Sequence, residues 1–133
     1  RLTPLIYGDV IFDSTIGGTI LSTEEIFFHL TPMLSPQRIL IAGIEEGVWH
    51  DYPARTQLVK HITPATFKEI SRSLGGSQSV DVTGGMLAKV KSMVDLVDKN
   101  ANLEVLIFSG STPGLLTQAL NGANPGTLIS RST

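Results

Sequence analysis

Two short apolar runs constrain the fold of this chain more than any other feature. They read RILIAGI at positions 38–44 and EVLIFSG at positions 104–110. Both have the length of a strand, and neither alternates apolar with polar residues, which is the pattern of a strand buried on both faces. Such strands occur in sheets whose faces are covered by helices. The two runs therefore predict an α/β fold with helices covering a mainly parallel sheet.

The remaining segments alternate between strand and helix patterns. We predict a strand over 2–12 that ends near Gly8–Asp9, a hairpin over 10–22 with Gly17–Gly18 at its turn, and a helix from Ser22 or Thr23 to about Leu34. Further predicted elements are a loop or hairpin arm at GVWHDYP, helices over 64–74, 84–99 and 113–120, a turn over 122–126 and a last strand at GTLIS. No internal repeat or linker is visible, so residues 1–133 are assigned to a single domain.

Charge and composition argue against several functions. The net charge is −2 and the basic residues are scattered, which argues against a nucleic-acid face or a patch for anionic membranes. The chain has no cysteine, so it has neither disulfides nor thiolate chemistry. No apolar run approaches the ~20 residues of a membrane span, and no signal peptide is visible. These features predict a cytoplasmic protein, and the abrupt start at Arg1 predicts a piece of a longer polypeptide.

Glycine-rich loops follow the predicted strands. They are GD at 8–9, GIEEG at 43–47 and SGSTPG at 109–114. In α/β sheets, ligands collect at the loops that follow the carboxyl ends of the strands. The sequence therefore predicts a ligand site at this edge of the sheet.

The stretch DVTGGMLAKV at 81–90 predicts a phosphate clamp. Helix N-termini present unpaired N–H groups and a positive dipole end, and glycine lets a phosphate approach the backbone. Thr83 is the predicted N-cap, Gly84 and Gly85 would admit the phosphate, and Lys89 would reach it one turn later. The alternative is a glycine loop that begins an ordinary helix, with Lys89 solvated. The P-loop pattern GxxxxGK[ST] and the pattern GxGxxG are both absent.

Several other side chains have a structural and a functional interpretation. Asp9 could orient a lysine or bind a substrate, or it could cap a turn. Glu45 and Glu46 could contact a ribose or a metal, or lie in a solvated loop. Trp49 and Tyr52 could flank an adenine or pack a hairpin. The three histidines do not have metal-ligand spacing, so no protein metal cage is predicted.

The motifs taken in order resemble one family. The chain reads YGDVIFD, GGTILSTEEI, EEGVW, SVDVTGGMLAKV and SGSTPGLLTQALNG. This order resembles the C-terminal part of the isopentenyl phosphate kinases, in the amino acid kinase superfamily. The resemblance implies a three-layer α/β/α sandwich, of which the chain would be the nucleotide-binding, C-terminal portion. It also implies transfer of the γ-phosphoryl group of MgATP to isopentenyl phosphate, with ATP and Mg²⁺ as cofactors and isopentenyl diphosphate as the product.

The resemblance also assigns residues to roles. Lys89 corresponds to the lysine that reaches the ATP phosphates, and Gly85 to a glycine that contacts them through its backbone. The rest of the implied site is a nucleotide-binding set, Thr83, Gly84, Glu45 and Gly47, and a substrate-binding pair, Gly8 and Asp9. The site would hold one small phosphorylated substrate.

The chain departs from the family pattern in three places. Ile44 and Glu46 stand where the TDVDG motif has aspartates, which puts the nucleotide contact in doubt. STEEI replaces an SGDDI-like helix start, so Thr23 stands for a glycine and Glu24 for an aspartate. A longer acid moves its carboxylate by about 1.5 Å, which can lower the rate.

The third departure is the family's N-terminal half, with its phosphate loop, catalytic lysine and substrate histidine, which is absent. We therefore expect the 133-residue chain alone to be inactive or nearly so. We also expect it to associate, as a homodimer, through an exposed sheet edge. Two alternatives stay open: a related kinase for another small anion, and a non-catalytic nucleotide-binding module.

Overall fold

The structure, a computed structural model, describes residues 3–75 and 82–132, apart from the side chains of residues 72–75 and 82–84. It forms two compact units, Arg1–Pro36 and Gln37–Thr133. Each unit is described by itself below. No helix in the described part of the chain is long and apolar enough to cross a membrane.

The first unit begins with a hairpin. Strands β1 (Asp9–Asp13) and β2 (Gly17–Leu21) pair antiparallel, as predicted. The turn lies at residues 14–16, just before the predicted turn at 17–18. The Asp13 carboxylate stabilises it by accepting the N–H groups of Thr15 and Ile16 at 2.7 and 2.9 Å. Gly17 then begins β2 with a φ of 83°, a conformation that glycine adopts readily.

The strand predicted over 2–12 is wrong for residues 3–8, and residue 2 lies outside the described residues. Residues 3–8 have no regular structure, and β1 begins only at Asp9. An extended segment becomes a strand only when a neighbour completes its hydrogen-bond ladder, and residues 3–8 pair with no strand in the described part of the chain. Their apolar side chains are accordingly exposed, Leu5 at 93% and Tyr7 at 72%.

Helix α1 (Thr23–Leu34) begins with a complete capping box, which confirms the prediction. The Ser22 hydroxyl accepts the Glu25 N–H at 3.2 Å, and the Glu25 carboxylate accepts the Ser22 N–H at 2.9 Å. These bonds satisfy two of the N–H groups that a helix start leaves open. The Ser22 N–H is also the main cause that holds the pKa of Glu25 below its usual value.

The second unit is built on a four-stranded sheet. Its elements in chain order are β3 (Arg38–Gly43), β4 (Val48–Trp49), β5 (Leu58–Val59), β6 (His61–Ile62), α2 (Pro64–Gly75), α3 (Val82–Lys99), β7 (Glu104–Ser109), α4 (Leu115–Leu120) and β8 (Thr127–Ile129). The sheet order is β3-β7-β8-β6, and β4 pairs with β5 in a separate two-stranded ribbon. The β3–β7 and β6–β8 pairs are parallel and the β7–β8 pair is antiparallel. The predicted mainly parallel sheet is confirmed.

Strand β7 is the centre of the core. Leu106 and Phe108 pack with Ala119 of α4, while Val105 and Ile107 on the opposite face are buried as well. Helix α3 contacts β7 and β8, and α2 packs on α3. The α/β architecture follows from these contacts. Prediction and structure differ at β3, which lies at the edge of the described sheet: Ile39 and Ile41 are buried, but its last two residues are exposed.

Helix α3 begins earlier than predicted. Its first residue is Val82, so the predicted N-cap, Thr83, already lies inside the helix together with Gly84 and Gly85. The N-cap assignment of Thr83 is therefore wrong. The glycine pair was the misleading signal, because each glycine in a helix is less favourable than alanine by about 1 kcal/mol. Packing of the apolar face further along the helix outweighs this cost. The side chain of Thr83 and the surroundings of Gly84 lie outside the described residues.

Candidate functional site at the sheet edge

The carboxyl ends of β3 and β7 meet at one edge of the sheet. The two strands are parallel and in register from Arg38 and Glu104 onward, and the Gly110 N–H donates to the Gly43 carbonyl at 2.8 Å just beyond them. Strand β8 runs antiparallel to β7, so its amino end, at Thr127, reaches the same edge. Two of the predicted glycine-rich loops, 43–47 and 109–114, are thus brought together as the parallel sheet requires.

The N-terminal end of α3 points toward this edge. Residues 100–103 connect α3 directly to the start of β7, and α3 packs on β7 and β8, so it runs antiparallel to β7. Its 18 residues span about 27 Å, against about 20 Å for the six residues of β7. Gly85 and Lys89, four residues apart, lie on one face of its N-terminal half. The positive end of the helix dipole therefore faces the carboxyl ends of the parallel strands, and Lys89 lies in the first half of the same helix.

A buried threonine anchors the loop that follows β3. The Thr127 hydroxyl accepts the Val48 N–H at 2.8 Å and donates to the Val59 carbonyl at 2.6 Å. It thereby joins β4, β5 and β8 at one point with all its groups satisfied. Gly47 fits against the same side chain, because a Cβ at this position would lie 2.5 Å from the Thr127 hydroxyl oxygen. Gly47 therefore has a packing reason, and its predicted nucleotide role stays a prediction.

The Glu45 carboxylate is the centre of a network that the sequence did not reveal. Arg55 donates to it through Nε at 3.0 Å and through Nη2 at 2.6 Å, and the Trp49 indole N–H donates at 3.1 Å. The Arg55 guanidinium also lies 5.1 Å from the centre of the Tyr52 ring. The hydrogen bonds from Arg55 are the main cause that holds the pKa of Glu45 below its usual value, so they favour the charged form of the carboxylate. We call Glu45, Trp49 and Arg55 the Glu45 clamp.

Both oxygens of Glu45 are thus engaged within its own loop. The predicted contact of Glu45 with a nucleotide stays a prediction, but a direct contact would have to compete with Arg55 and Trp49. Trp49 and Tyr52, predicted either to flank an adenine or to pack a hairpin, both contact members of the clamp. No sequence motif identified Arg55, because it lies ten residues from its partner in an irregular loop.

Gly85 differs from Gly8 and Gly47, the other described glycines of the predicted site, in having open space around it. A Cβ at this position would meet no described atom within 4 Å. Glycine in a helix interior is less stable than alanine by up to about 1 kcal/mol. No packing contact in the described part of the chain requires Gly85, which is consistent with its predicted role in admitting a phosphate.

Replacing Gly85 by alanine should therefore separate stability from binding. We expect Gly85→Ala to raise the free energy of unfolding by up to about 1 kcal/mol, since helix propensity improves without a clash. The same methyl group should weaken ATP binding at the end of α3. Urea unfolding and an ATP titration measure the two effects. A variant that gains stability and binds ATP as the unchanged chain does would remove Gly85 from the phosphate site.

The predicted substrate pair lies in the first unit. The Gly8 N–H donates to the Thr23 hydroxyl at 2.9 Å, and a Cβ on Gly8 would lie 2.7 Å from the Leu21 carbonyl oxygen. Asp9 accepts the Val10 N–H at 2.7 Å. Gly8 therefore has a packing reason too, and the substrate roles of Gly8 and Asp9 stay predictions. Thr23, a departure from the family pattern, thus accepts the N–H of the residue that the resemblance places beside the substrate.

Two positions near the edge carry the other departures. Ile44 is 87% exposed directly after β3, and the Glu46 side chain is exposed as well. Within residues 3–75 and 82–132, no group of three or more histidine, cysteine, aspartate or glutamate side chains could hold a metal.

Known proteins resemble this chain over most of its length. The profile of the amino acid kinase family matches residues 1–109. Isopentenyl phosphate kinase from Methanocaldococcus jannaschii is 34% identical over 129 residues, which are 97% of this chain and 46% of that kinase. The isopentenyl phosphate kinase from Methanothermobacter thermautotrophicus is 27% identical over 91% of this chain and 46% of its own length. The chain thus spans less than half the length of these relatives.

A solved structure gives the same result for the fold. An X-ray structure of isopentenyl phosphate kinase superposes with a TM-score of 0.66 at 24% sequence identity. The superposition covers 93% of this chain and 43% of that one. The fold predicted from the motifs is confirmed.

Proposed function

The chain belongs to the amino acid kinase family, and from that premise we propose that it is the nucleotide-binding, C-terminal part of an isopentenyl phosphate kinase. The observation that carries the proposal is the match of 97% of the chain to a kinase of that name at 34% identity. The complete protein would transfer the γ-phosphoryl group of MgATP to isopentenyl phosphate. The predicted homodimer and cytoplasmic location are part of this proposal.

The reaction forms one phosphorus–oxygen bond and breaks another. A terminal oxygen of the substrate phosphate attacks the γ-phosphorus of ATP, and the bond from that phosphorus to the β–γ bridging oxygen breaks. ADP leaves with the bonding electron pair, and isopentenyl diphosphate forms. Catalysis of such a transfer consists mainly of positioning and of stabilising negative charge.

The sheet edge supplies groups for both tasks. The N-terminal end of α3 provides backbone N–H groups, Gly85 leaves room for a phosphate, and Lys89 adds a positive charge on the same helix face. Thr83 and Gly84 stand beside Gly85 in the same helical turn and belong to the proposed nucleotide site, together with Glu45 and Gly47. Gly8 and Asp9 are the proposed substrate residues.

Magnesium enters the proposal with the nucleotide. Mg²⁺ is commonly held by one or two carboxylates together with substrate phosphates. The Glu46 side chain is the exposed carboxylate nearest along the chain to the end of β3 and is available for such a contact. The ion would neutralise charge on the phosphates during transfer.

The test is a phosphoryl-transfer assay on the protein encoded by the complete gene. MgATP is supplied with a panel of small anions that includes isopentenyl phosphate, a phosphonate and an acyl phosphate precursor. Saturable turnover of isopentenyl phosphate, faster than that of the other anions, supports the proposal. Preference for another anion assigns the chain to a related kinase, and no turnover at all with any anion overturns the kinase proposal.

One observation favours a second candidate. The exposed Ile44 stands where the family pattern has an aspartate at the nucleotide, so the edge offers one negative group fewer for Mg²⁺ or the nucleotide. A non-catalytic nucleotide-binding module would tolerate that loss. Such a module would bind ATP, seen as a rise in melting temperature with ATP concentration, yet show no turnover in the panel.

A further inference from the structure

We infer that Arg55 is a positioning residue of the nucleotide site: through the Glu45 clamp it fixes the backbone of residues 44–46 where the sheet edge meets the nucleotide. The inference rests on the proposed function, because it assumes that a nucleotide binds at this edge. It assigns no contact between Arg55 and the nucleotide. Its subject is the loop that Arg55 holds.

The clamp is made of converging bonds. Two come from the planar fork of Arg55 and one from the Trp49 indole, and all three end on a carboxylate that is only 20% exposed. Two-pronged arginine–carboxylate pairs are stronger and more specific in geometry than a single charge contact. An ordinary surface ion pair contributes little to stability, but this one has a two-pronged geometry and a third donor.

The far end of the loop is held as firmly. The Asp51 carboxylate accepts the N–H groups of Thr56 and Gln57 at 3.0 to 3.1 Å, which closes the turn between them. Arg55 itself has a φ of 56°, a conformation that residues other than glycine rarely adopt and that surrounding contacts must maintain. The stacking of its guanidinium on Tyr52 is one such contact. Arg55 therefore reaches Glu45 from a defined position.

The clamp acts on the segment between two points at which the sheet holds the loop. At one end, the Gly43 carbonyl accepts the Gly110 N–H, and at the other, Gly47 packs on Thr127. Residues 44–46 bridge these two points at the carboxyl edge of the sheet. The clamp holds the middle residue of this bridge, so it decides where the backbone and side chains of residues 44–46 point.

Loss of the clamp should weaken nucleotide binding more than it slows the chemical step. If residues 44–46 are already ordered in the free protein, nucleotide binding does not lose conformational entropy by ordering them. We expect the Kd for ATP, and the KM for ATP in the complete protein, to rise about five- to tenfold. The kcat should change less than twofold, since Lys89 and the α3 end are untouched.

The experiment compares three variants of matched character. Arg55→Lys keeps the positive charge and, like arginine, is a non-glycine residue at a positive φ, but it cannot make the two-pronged contact with Glu45. Glu45→Gln keeps the shape of the side chain but removes its negative charge. Arg131→Lys is the control, because Arg131 pairs with Asp98 at 4.0 Å on an exposed surface elsewhere in the same unit. Trp49 is the single tryptophan of the chain, so its indole N–H resonance reports the clamp directly. ATP titration, KM and kcat are then measured for each variant.

The outcomes are distinct. A moved indole resonance and a Kd for ATP raised about five- to tenfold in both clamp variants, with Arg131→Lys unchanged, support the inference. A moved resonance with an unchanged Kd overturns it and leaves the proposed function intact. If the protein without substitutions binds no ATP, the proposed function is overturned, and the positioning role of Arg55 is overturned with it. A fall in kcat equal to the rise in KM would assign Arg55 to the chemical step and overturn the positioning role.

Discussion

Replacing Gly126 by alanine is expected to destabilise the second unit strongly. A Cβ on this residue would overlap the carbonyl oxygen of Ile107 and lie 2.8 Å from the Glu46 carbonyl oxygen. It would also lie 2.9 Å from Cβ of the fully buried Phe108. Two of these neighbours are backbone atoms in or beside the central strands, so they cannot move away as a side-chain tip can. We expect Gly126→Ala to lower the free energy of unfolding by more than about 3 kcal/mol.

The measurement is urea unfolding followed by circular dichroism. A single domain is typically stable by only about 5–15 kcal/mol, so the variant should unfold at a much lower urea concentration or fail to accumulate. Gly43→Ala is the control, because a Cβ at that exposed strand end meets no described atom within 4 Å. Its stability should stay within about 0.5 kcal/mol of the unchanged chain. Equal urea midpoints for Gly126→Ala and Gly43→Ala would contradict the close approach of Gly126 to the backbone of Ile107 and Glu46.

The parts of the fold that the sequence predicts are those in which local and tertiary preferences agree. Strand β7 has an apolar run over 105–108 that is buried on both faces, and α1 has both members of its capping box within four residues. Helix α3 was recognised by the periodicity of its apolar face, although its first turn contains two glycines. In each case the signal lies in neighbouring residues.

The errors arise where distant residues decide the structure. Residues 3–8 have the composition of a strand, but strand formation depends on a partner that composition cannot supply. The sequence assigns Gly8 and Gly47 to ligand binding, yet both positions are small because Leu21 and Thr127 lie against them. Only the three-dimensional neighbours separate these two cases from Gly85.

The candidate site divides in the same way. The sheet edge and the helix end that faces it could be predicted, because topology alone determines where parallel strands end. The Glu45 clamp could not be, since it joins residues ten positions apart through a loop without regular structure. Ile44 and Thr23 were recognised as departures from the family pattern, and the structure adds that Thr23 holds the N–H of Gly8.

Lys89→Ala is expected to have the largest effect on activity in the complete protein. Lys89 is half-buried in the N-terminal half of α3, one turn after Gly85 and on the same face. In the proposed reaction its positive charge neutralises negative charge on the transferred phosphate. This interaction is stronger in a site from which water is excluded than in bulk water. Removing one such group typically costs about 100- to 1,000-fold in kcat. We therefore expect kcat to fall at least about 100-fold, with the melting temperature nearly unchanged.

The neighbouring lysine provides the control for charge and helix propensity. Lys91 lies two residues further on, which places it on another side of the helix, and its side chain is 67% exposed in an ion pair with Asp95 at 3.8 Å. Lys91→Ala should keep kcat within about twofold, because an exposed pair of this kind contributes little. Lys89→Arg should recover part of the lost rate, since it restores the charge with a different reach. Equal rates for Lys89→Ala and Lys91→Ala would mean that the positive charge at position 89 takes no part in transfer, and the phosphate would then have to be held by the backbone of α3 alone.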